Sequence, residues 1–452
     1  MILVIVALLT AQLSIHAGAE GGPIRIAFID SGISTKHIAP DHVDAGKNYV
    51  FPASDTGDRI GHGTATAGLV LGAEDQGVAG VFPEAVAVPL VVVDTYPSGT
   101  VKNGGPAALC EAIYDAVDLF HCQVINISLS TPEDSKELRA AVAYAEKKGT
   151  LVVTVAGNDG ETGRTYYPAA YDTVISVGAS GGHAVAAFSQ NGADVLTEGV
   201  GLQTATNKNG AAAASVSGTS YSCAIISGIC AKILSAYPGI TPVEARQCLF
   251  GMATDILEPG FDLRSGWGIV DASCAIPYPY WDVAVGSWRY PAVCHVTERG
   301  IMNGTETGRF LPDGIMTRAM FATVLYRIAG EPEVTRENPF TDVDEETWYT
   351  NAVLWAAGEK IVEGYGGGIF GTNDPMTREQ MVTLFWRYNG EASVEDADLS
   401  GFSDTDQISA WAQGALAWAT SAGIISGKGG VLDPKGTTTR AEVAQVVMNV
   451  TA

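Results

Sequence analysis

Three short segments carry the side chains that nucleophilic attack on a carbonyl requires. The first, Ile26-Ala-Phe-Ile-Asp30-Ser-Gly32, is an apolar run that ends in a carboxylate. The second, Gly61-His62-Gly-Thr-Ala-Thr-Ala-Gly68, sets an imidazole between glycines at the head of a helix-like stretch. The third, Ser217-Gly-Thr-Ser220, places a hydroxyl just ahead of the apolar run Cys223 to Ile233, which reads as a buried helix. A serine hydroxyl is a weak nucleophile until an adjacent imidazole accepts its proton, and the imidazole needs an acceptor that fixes its tautomer. Each segment alone also has a plainer reading: a strand-to-turn step, a structural histidine, or a serine that only caps a helix. The combination, in the order Asp, His, Ser, is what carries the chemistry.

The stretches between them must supply the scaffold. From residue 24 to about 272, the short β-branched runs IRIAFID, AVAVPLVVV, QVINISL, TLVVTVAG and DTVISVGA alternate with helix-length amphipathic segments. Runs of this kind predict strands buried on both faces, hence an α/β domain with a mostly parallel sheet flanked by helices. Open sheets of that class place their sites at the C-terminal ends of the strands, where Asp30 falls. Helices are predicted over Pro106 to Phe120 and over Ser135 to Lys148, the second stopped by Gly149. Residues 277–280, rich in proline, read as a linker.

Beyond the linker the chain repeats. Asp282, Asp342 and Asp404 each precede Arg318, Arg378 and Arg440 by 36 residues, and Trp288, Trp348 and Trp411 each precede Gly304, Gly364 and Gly427 by 16. Two spacings kept through three copies define an array with a period near 60. Each copy ends in Thr-Arg followed by an apolar i, i+3, i+4, i+7 stripe such as Phe321, Val324, Leu325 and Ile328. The threonine reads as an N-cap, with Gln380 and Glu442 completing capping boxes in copies two and three. Each copy is therefore expected to be two helices joined by a Gly-rich loop, with the tryptophans and glycines serving as core and turn.

The three catalytic words, with Ala156-Gly157-Asn158-Asp159-Gly160, Tyr167-Pro168-Ala169, Phe188-Ser189 and Gly266-Trp-Gly-Ile-Val270, resemble the subtilase family over residues 24 to 272. The resemblance implies a serine endopeptidase acting on proteins or peptides, with Ser220 as nucleophile, His62 as general base and then acid, Asp30 holding the imidazole, and Asn158 donating to the oxyanion. It also implies a substrate cleft walled by Ser128, Leu129 and Ser130 on one side and Ala156 and Gly157 on the other. Tyr166 would stand at the base of the pocket and favour small residues before the scissile bond. The chain departs from the family pattern where Tyr221-Ser-Cys-Ala224 follows the serine in place of Met-Ala-x-Pro. No cofactor is required by this reading. The segment that often binds calcium in relatives is the shortened Ala73-Glu-Asp-Gln-Gly-Val78 here, so calcium lacks sequence support.

The repeats resemble S-layer homology domains, which bind pyruvylated secondary cell-wall polymers. That resemblance implies wall-polymer binding through Asp282, Arg318, Asp342, Arg378, Asp404 and Arg440. At the start of a helix, an arginine meets an unfavourable dipole but also free N–H groups, an arrangement suited to a carboxylate ligand. Replacing the three arginines by glutamine is expected to abolish attachment while sparing the fold; the competing role is a pairing of each arginine with its aspartate.

Composition sets the outer limits. With 26 basic against 50 acidic side chains the chain repels polyanions, which excludes nucleic acid as a general partner. Residues 281–452 hold 12 Lys and Arg and 23 Asp and Glu, a net of 12 − 23 = −11, so the acidity is spread over both parts. Seven cysteines make no disulfide framework, although Cys110 with Cys122 and Cys248 with Cys274 are candidate pairs in an oxidising compartment. The apolar run Ile2 to Leu9 and Ala17-Gly-Ala19 read as a signal peptide, too short to span a membrane. About ten residues separate Ala19 from Asp30, too few for a folding-assisting prodomain. The expected organisation is a signal peptide over 1–19, a peptidase domain over 20–276, a linker over 277–280, and repeats over 281–331, 338–391 and 399–452. The expected location is the outside of the cell, at a Gram-positive-type wall.

Overall fold

The computed structural model describes residues 22–161, 164–274, 276–277, 279–305, 308–335, 337–392 and 399–451. The expected signal peptide lies outside the described residues. The chain forms two compact units, residues 1–276 and 277–452.

The first unit is built on a parallel sheet whose strands run, edge to edge, Val195–Glu198, Ile175–Gly181, Leu151–Val155, Val124–Ile127, Arg25–Asp30, Val86–Val91 and Lys47–Asn48. The five β-branched runs of the sequence supply five of these seven. Five helices join them: α1 (His62–Leu71), α2 (Gly105–Asp118), α3 (Lys136–Lys147), α4 (Thr219–Ala236) and α5 (Pro242–Gly251). Ile125 and Ile127 pack with α2 and α3, whereas Asn126 between them bonds to Cys223 and Ser227 of α4. Alternation along one strand thus puts α2 and α3 on one face and α4 on the other, and burial on both sides explains the uninterrupted apolar runs. α4 is long and apolar enough to cross a membrane, but it is sheathed by α1 and by five strands of the sheet. Cys110, Cys122 and Cys274 carry free thiols, so neither candidate disulfide forms.

In the second unit each repeat is a helix pair: α6 (Tyr290–Glu298) with α7 (Arg318–Ile328), α8 (Thr350–Gly358) with α9 (Arg378–Tyr388), and α10 (Gln413–Ser421) with α11 (Arg440–Thr451). The second helix of each repeat packs on the first helix of the next: α7 on α8, α9 on α10, and α11 back on α6. The array is a closed ring. At its centre Met316 N–H donates to Thr438 O, Thr438 N–H to Met376 O, and Met376 N–H to Met316 O, each at 2.9 Å. Tyr280, expected in the linker, is buried in this core and accepts from Gly304 N–H at 2.6 Å. The repeated glycines do serve packing: a Cβ on Gly304 would lie 2.1 Å from the Tyr280 ring, and one on Gly364 or Gly427 would press on Phe340 or Phe402.

The ring corrects three expectations about the repeats. Both oxygens of Asp282 accept from the amides of Phe310 and Leu311, as Asp342 does from Phe370 and Gly371, and Asp404 from Leu432 and Asp433. These carboxylates staple their own loops instead of facing a ligand or pairing with the arginines. The helix-start amides are spent as well: Arg318 N–H donates to Asp374 O, Arg378 N–H to Gly436 O, and Arg440 N–H to Gly314 O. The arginine side chains reach the neighbouring repeat, Arg318 to Phe370 O and Glu363 O, Arg378 to Leu432 O and Glu442, and Arg440 to Phe310 O and Asn303 O. The tryptophans, in contrast, are not core: Trp288, Trp348 and Trp411 are 55%, 63% and 52% exposed.

Arg318→Gln is therefore expected to loosen the fold. Each carbonyl left without its donor costs about 1–3 kcal/mol when buried, so thermal unfolding of the full chain should show the transition of the second unit lowered by several degrees. An unchanged transition would show that the guanidinium does not close the ring.

Candidate active site

The sheet, α1 and α4 bring the candidate residues to one edge. Asp30 ends the central strand and is 2% exposed. Its carboxylate accepts from His62 Nδ1 at 2.8 and 2.9 Å and from the Ser31 amide at 2.7 Å, with Thr66 Oγ1 at 3.4 Å. His62 opens α1, where Gly61 turns the chain at a φ of 105° that a side chain rarely adopts. Gly63 is required by contact: a Cβ there would lie 2.2 Å from Gly32 O and 3.2 Å from Asp30 Cβ. Burial disfavours the charged imidazolium, but the Asp30 charge and hydrogen bond, aided by Asp58, outweigh it and hold the His62 pKa above the ordinary histidine value.

Ser220 lies in the first turn of α4, after Gly218 at a φ of 148°. Among the described residues its hydroxyl bonds to Ser128 O, at a long 3.4 Å, while the ring bonds of His62 go to Asp30. The two are nevertheless neighbours through Tyr221, whose ring centroid is 5.6 Å from that of His62. Tyr221 thus occupies the position where the family pattern has methionine and covers one side of the imidazole. Asn158 is held from behind: its Oδ1 accepts from Thr219 N–H at 2.9 Å and Thr219 Oγ1 at 3.0 Å. That anchor fixes the amide so that Nδ2 is left to donate.

The expected cleft walls flank this edge. Ser128, Leu129 and Ser130 follow the Val124–Ile127 strand with burial falling from buried through half-buried to exposed. Ser128 Oγ donates to Ser220 O at 3.3 Å and accepts from Asn126 Nδ2 at 3.0 Å. Ala156 and Gly157, both buried, follow the Leu151–Val155 strand. The two walls are joined where Thr131 pairs with Tyr167 in both directions, at 2.9 and 2.8 Å. Tyr166 is half-buried against the Gly157 backbone, with its hydroxyl donating to Asp159 at 2.5 Å and accepting from Arg164 at 3.3 Å.

Sequence reasoning missed Asp58, Ser31, Thr66 and Thr219, which bond to the candidate residues or to their neighbouring backbone. Asp58 stands four residues ahead of His62, three before the cap position at Gly61, so the usual capping pattern does not mark it. In the segment Ala73–Val78, the carboxylate of Asp75 pairs with His37 Nδ1 at 2.7 Å, and the Gln76 amide bonds to Ala211 O and Thr206 N–H. Among the described residues no three acidic, histidine or cysteine side chains gather around a cation position.

The family model described as Subtilase family matches residues 21–268, and the S-layer homology domain model matches residues 280–322, 339–382 and 401–444. Subtilisin DY of Bacillus licheniformis is 33% identical over 265 residues, covering 57% of this chain and 92% of that protein. Subtilisin E of Bacillus subtilis (strain 168) is 33% identical over 272 residues, covering 57% and 67%. Among solved structures, S41 psychrophilic protease aligns with a TM-score of 0.50 at 30% identity, covering 55% of this chain and 91% of that one. Sphericase aligns with a TM-score of 0.50 at 27% identity, covering 56% and 92%. With a subtilisin-like α/β fold over its first unit and three S-layer homology domains after it, the chain belongs to the subtilase family of serine endopeptidases.

Proposed function

We infer that the enzyme hydrolyses peptide bonds through an acyl-enzyme on Ser220 and is retained outside the cell on a secondary cell-wall polymer. The observation that carries the catalytic reading is the Asp30–His62 pair. Both carboxylate oxygens lie against Nδ1, which keeps the proton there and leaves Nε2 as the base. Nε2 takes the Ser220 proton as Oγ attacks the carbonyl carbon, and returns it to the leaving amine; water then repeats the sequence in reverse to free the enzyme. Asn158 Nδ2 and the Ser220 amide donate to the oxyanion. The long bond from Ser220 Oγ to Ser128 O is one the hydroxyl gives up to donate to Nε2, and catalytic hydrogen bonds of that kind often form fully only once substrate is bound.

Ser220→Ala is expected to fold with an unchanged melting temperature and to lose peptidase activity by several orders of magnitude. Comparable hydrolysis of a chromogenic peptide by that variant would end the catalytic reading. Asn158→Ala should lower kcat more than it raises KM.

Tyr166 takes volume at the base of the pocket and is tethered there by Asp159, which supports a preference for small residues before the scissile bond. Tyr166→Gly is expected to raise kcat/KM for phenylalanine at that subsite by about tenfold or more. A wild-type enzyme that already prefers phenylalanine or leucine would contradict this.

Polymer binding belongs to the grooves between repeats, since the helix-start amides are already spent within the ring. Arg440 and Trp348 line a groove of ≈ 520 Å³, and Arg378 and Trp288 one of ≈ 390 Å³. Each of the three guanidinium groups spends two nitrogens on the next repeat; the third suits a sugar carboxylate, while the exposed indole suits a sugar face. Replacing Trp288, Trp348 and Trp411 together by alanine should keep the melting temperature and weaken pull-down by wall preparations about tenfold or more. Undiminished pull-down would place the binding surface elsewhere.

A further inference from the structure

The loop ahead of His62 holds a buried carboxylate to which the reaction above gives no part. Asp58 is 8% exposed. It accepts five hydrogen bonds: from Ser31 Oγ at 2.9 Å, Ile60 N–H at 2.9 Å, Gly61 N–H at 2.7 Å, Thr64 N–H at 2.8 Å and Thr64 Oγ1 at 2.6 Å. Every partner is a donor, as an ionised carboxylate needs. None of the five is a cationic side chain: the neighbouring Arg59 turns away to Asp55 and Asp94. A buried charge without a counterion is costly. Here the exposed amides and dipole of the first turn of α1 offset that cost.

The five bonds fall on the two segments whose separation matters. Ile60, Gly61 and Thr64 surround His62 in the chain. Ser31 follows Asp30, and its Oγ also accepts from Gly63 N–H at 3.0 Å, so Asp58, Ser31 and Gly63 tie the strand end to the helix start. We propose that Asp58 is a positioning residue for the Asp30–His62 pair, clamping the first turn of α1 to the strand end and holding a fixed negative charge beside the imidazole. The proposal rests on the reading of His62 as the general base.

The charge has a separate consequence. Among the described residues, the titratable groups facing His62 are Asp30 from the strand, Asp58 from the loop and Tyr221 from α4. Both carboxylates raise the pKa of the imidazole. His62 must be neutral to accept a proton, so the acid limb of kcat/KM follows that pKa. Removing the Asp58 charge lowers it and extends activity to lower pH.

The test is steady-state kinetics of the full chain on a peptide p-nitroanilide across pH, comparing Asp58→Asn, Ser31→Ala and Ser220→Ala. Asp58→Asn is expected to lower kcat about tenfold or more at little-changed KM, the scale of loss that small misplacements of reacting groups cause, and to shift the acid limb to lower pH. Ser31→Ala cuts the clamp but keeps the charge, so kcat should fall with the limb in place. Wild-type kcat in folded Asp58→Asn, or a lowered kcat with an unmoved limb, overturns the proposal. Should Asp58→Asn not fold, Ser31→Ala decides: loss of kcat supports the clamp, and wild-type kcat overturns it. Activity persisting in Ser220→Ala would sink the catalytic reading itself, independently of Asp58.

Discussion

The hydrogen bond between Asp30 and His62 is the interaction to which the rest of the first unit is subordinate. It joins a carboxylate 2% exposed to a half-buried imidazole that must still meet substrate, and an unpaired charge in the Asp30 position would be costly. A parallel sheet buried on both faces meets the first need by ending a central strand at a sheltered edge. A helix beginning at His62 meets the second, since its first residue has side-chain freedom while its backbone is already fixed. Gly63 is required because the strand end and the helix start approach too closely for a Cβ, and Gly32 because Thr56 O lies 2.4 Å from where its Cβ would be. Ser220 is delivered by the same device, a helix start beside a sheet edge, and Asn158 by the loop after the next strand.

The second unit solves a different problem by the same accounting of backbone groups. Three copies, each too small to bury its own apolar stripe, exchange helices around a ring, and the ring spends the helix-start amides that an isolated helix would leave open. Carbonyls that would be orphaned at loop ends are taken by the arginines of the preceding repeat. What stays available is the groove surface between repeats, where indole rings stand exposed. Conserving the same four residue types in each copy thus mixes structural and surface roles that look identical as spacings.

That mixture marks the limit of what was legible. Strands, helices and capping threonines were readable because their signals are local: Ser135 caps α3 by accepting from Leu138 N–H, and Thr377 with Gln380 forms its capping box. The catalytic words were readable because their glycines and flanking apolar runs constrain nearby backbone. The aspartates and arginines of the repeats were not, since their partners lie 28 to 137 residues away in the chain. Asp58 went unnoticed for the opposite reason: its local capping bonds are ordinary, and only the bond to Ser31, across 27 residues, ties it to the pair. Tyr280 was assigned to a linker because proline neighbours outweighed an aromatic ring that turned out to pack in the core.

The central claim is that a single serine is activated by an imidazole whose pKa is raised by buried acid. The rate at which a fluorophosphonate labels the full-length protein, measured against pH with the adduct located by peptide mass spectrometry, tests it directly. The account requires one adduct, on Ser220, forming at a rate that rises with pH through an apparent pKa above the ordinary histidine value. An adduct on another residue, or a labelling rate indifferent to pH across that range, would contradict it.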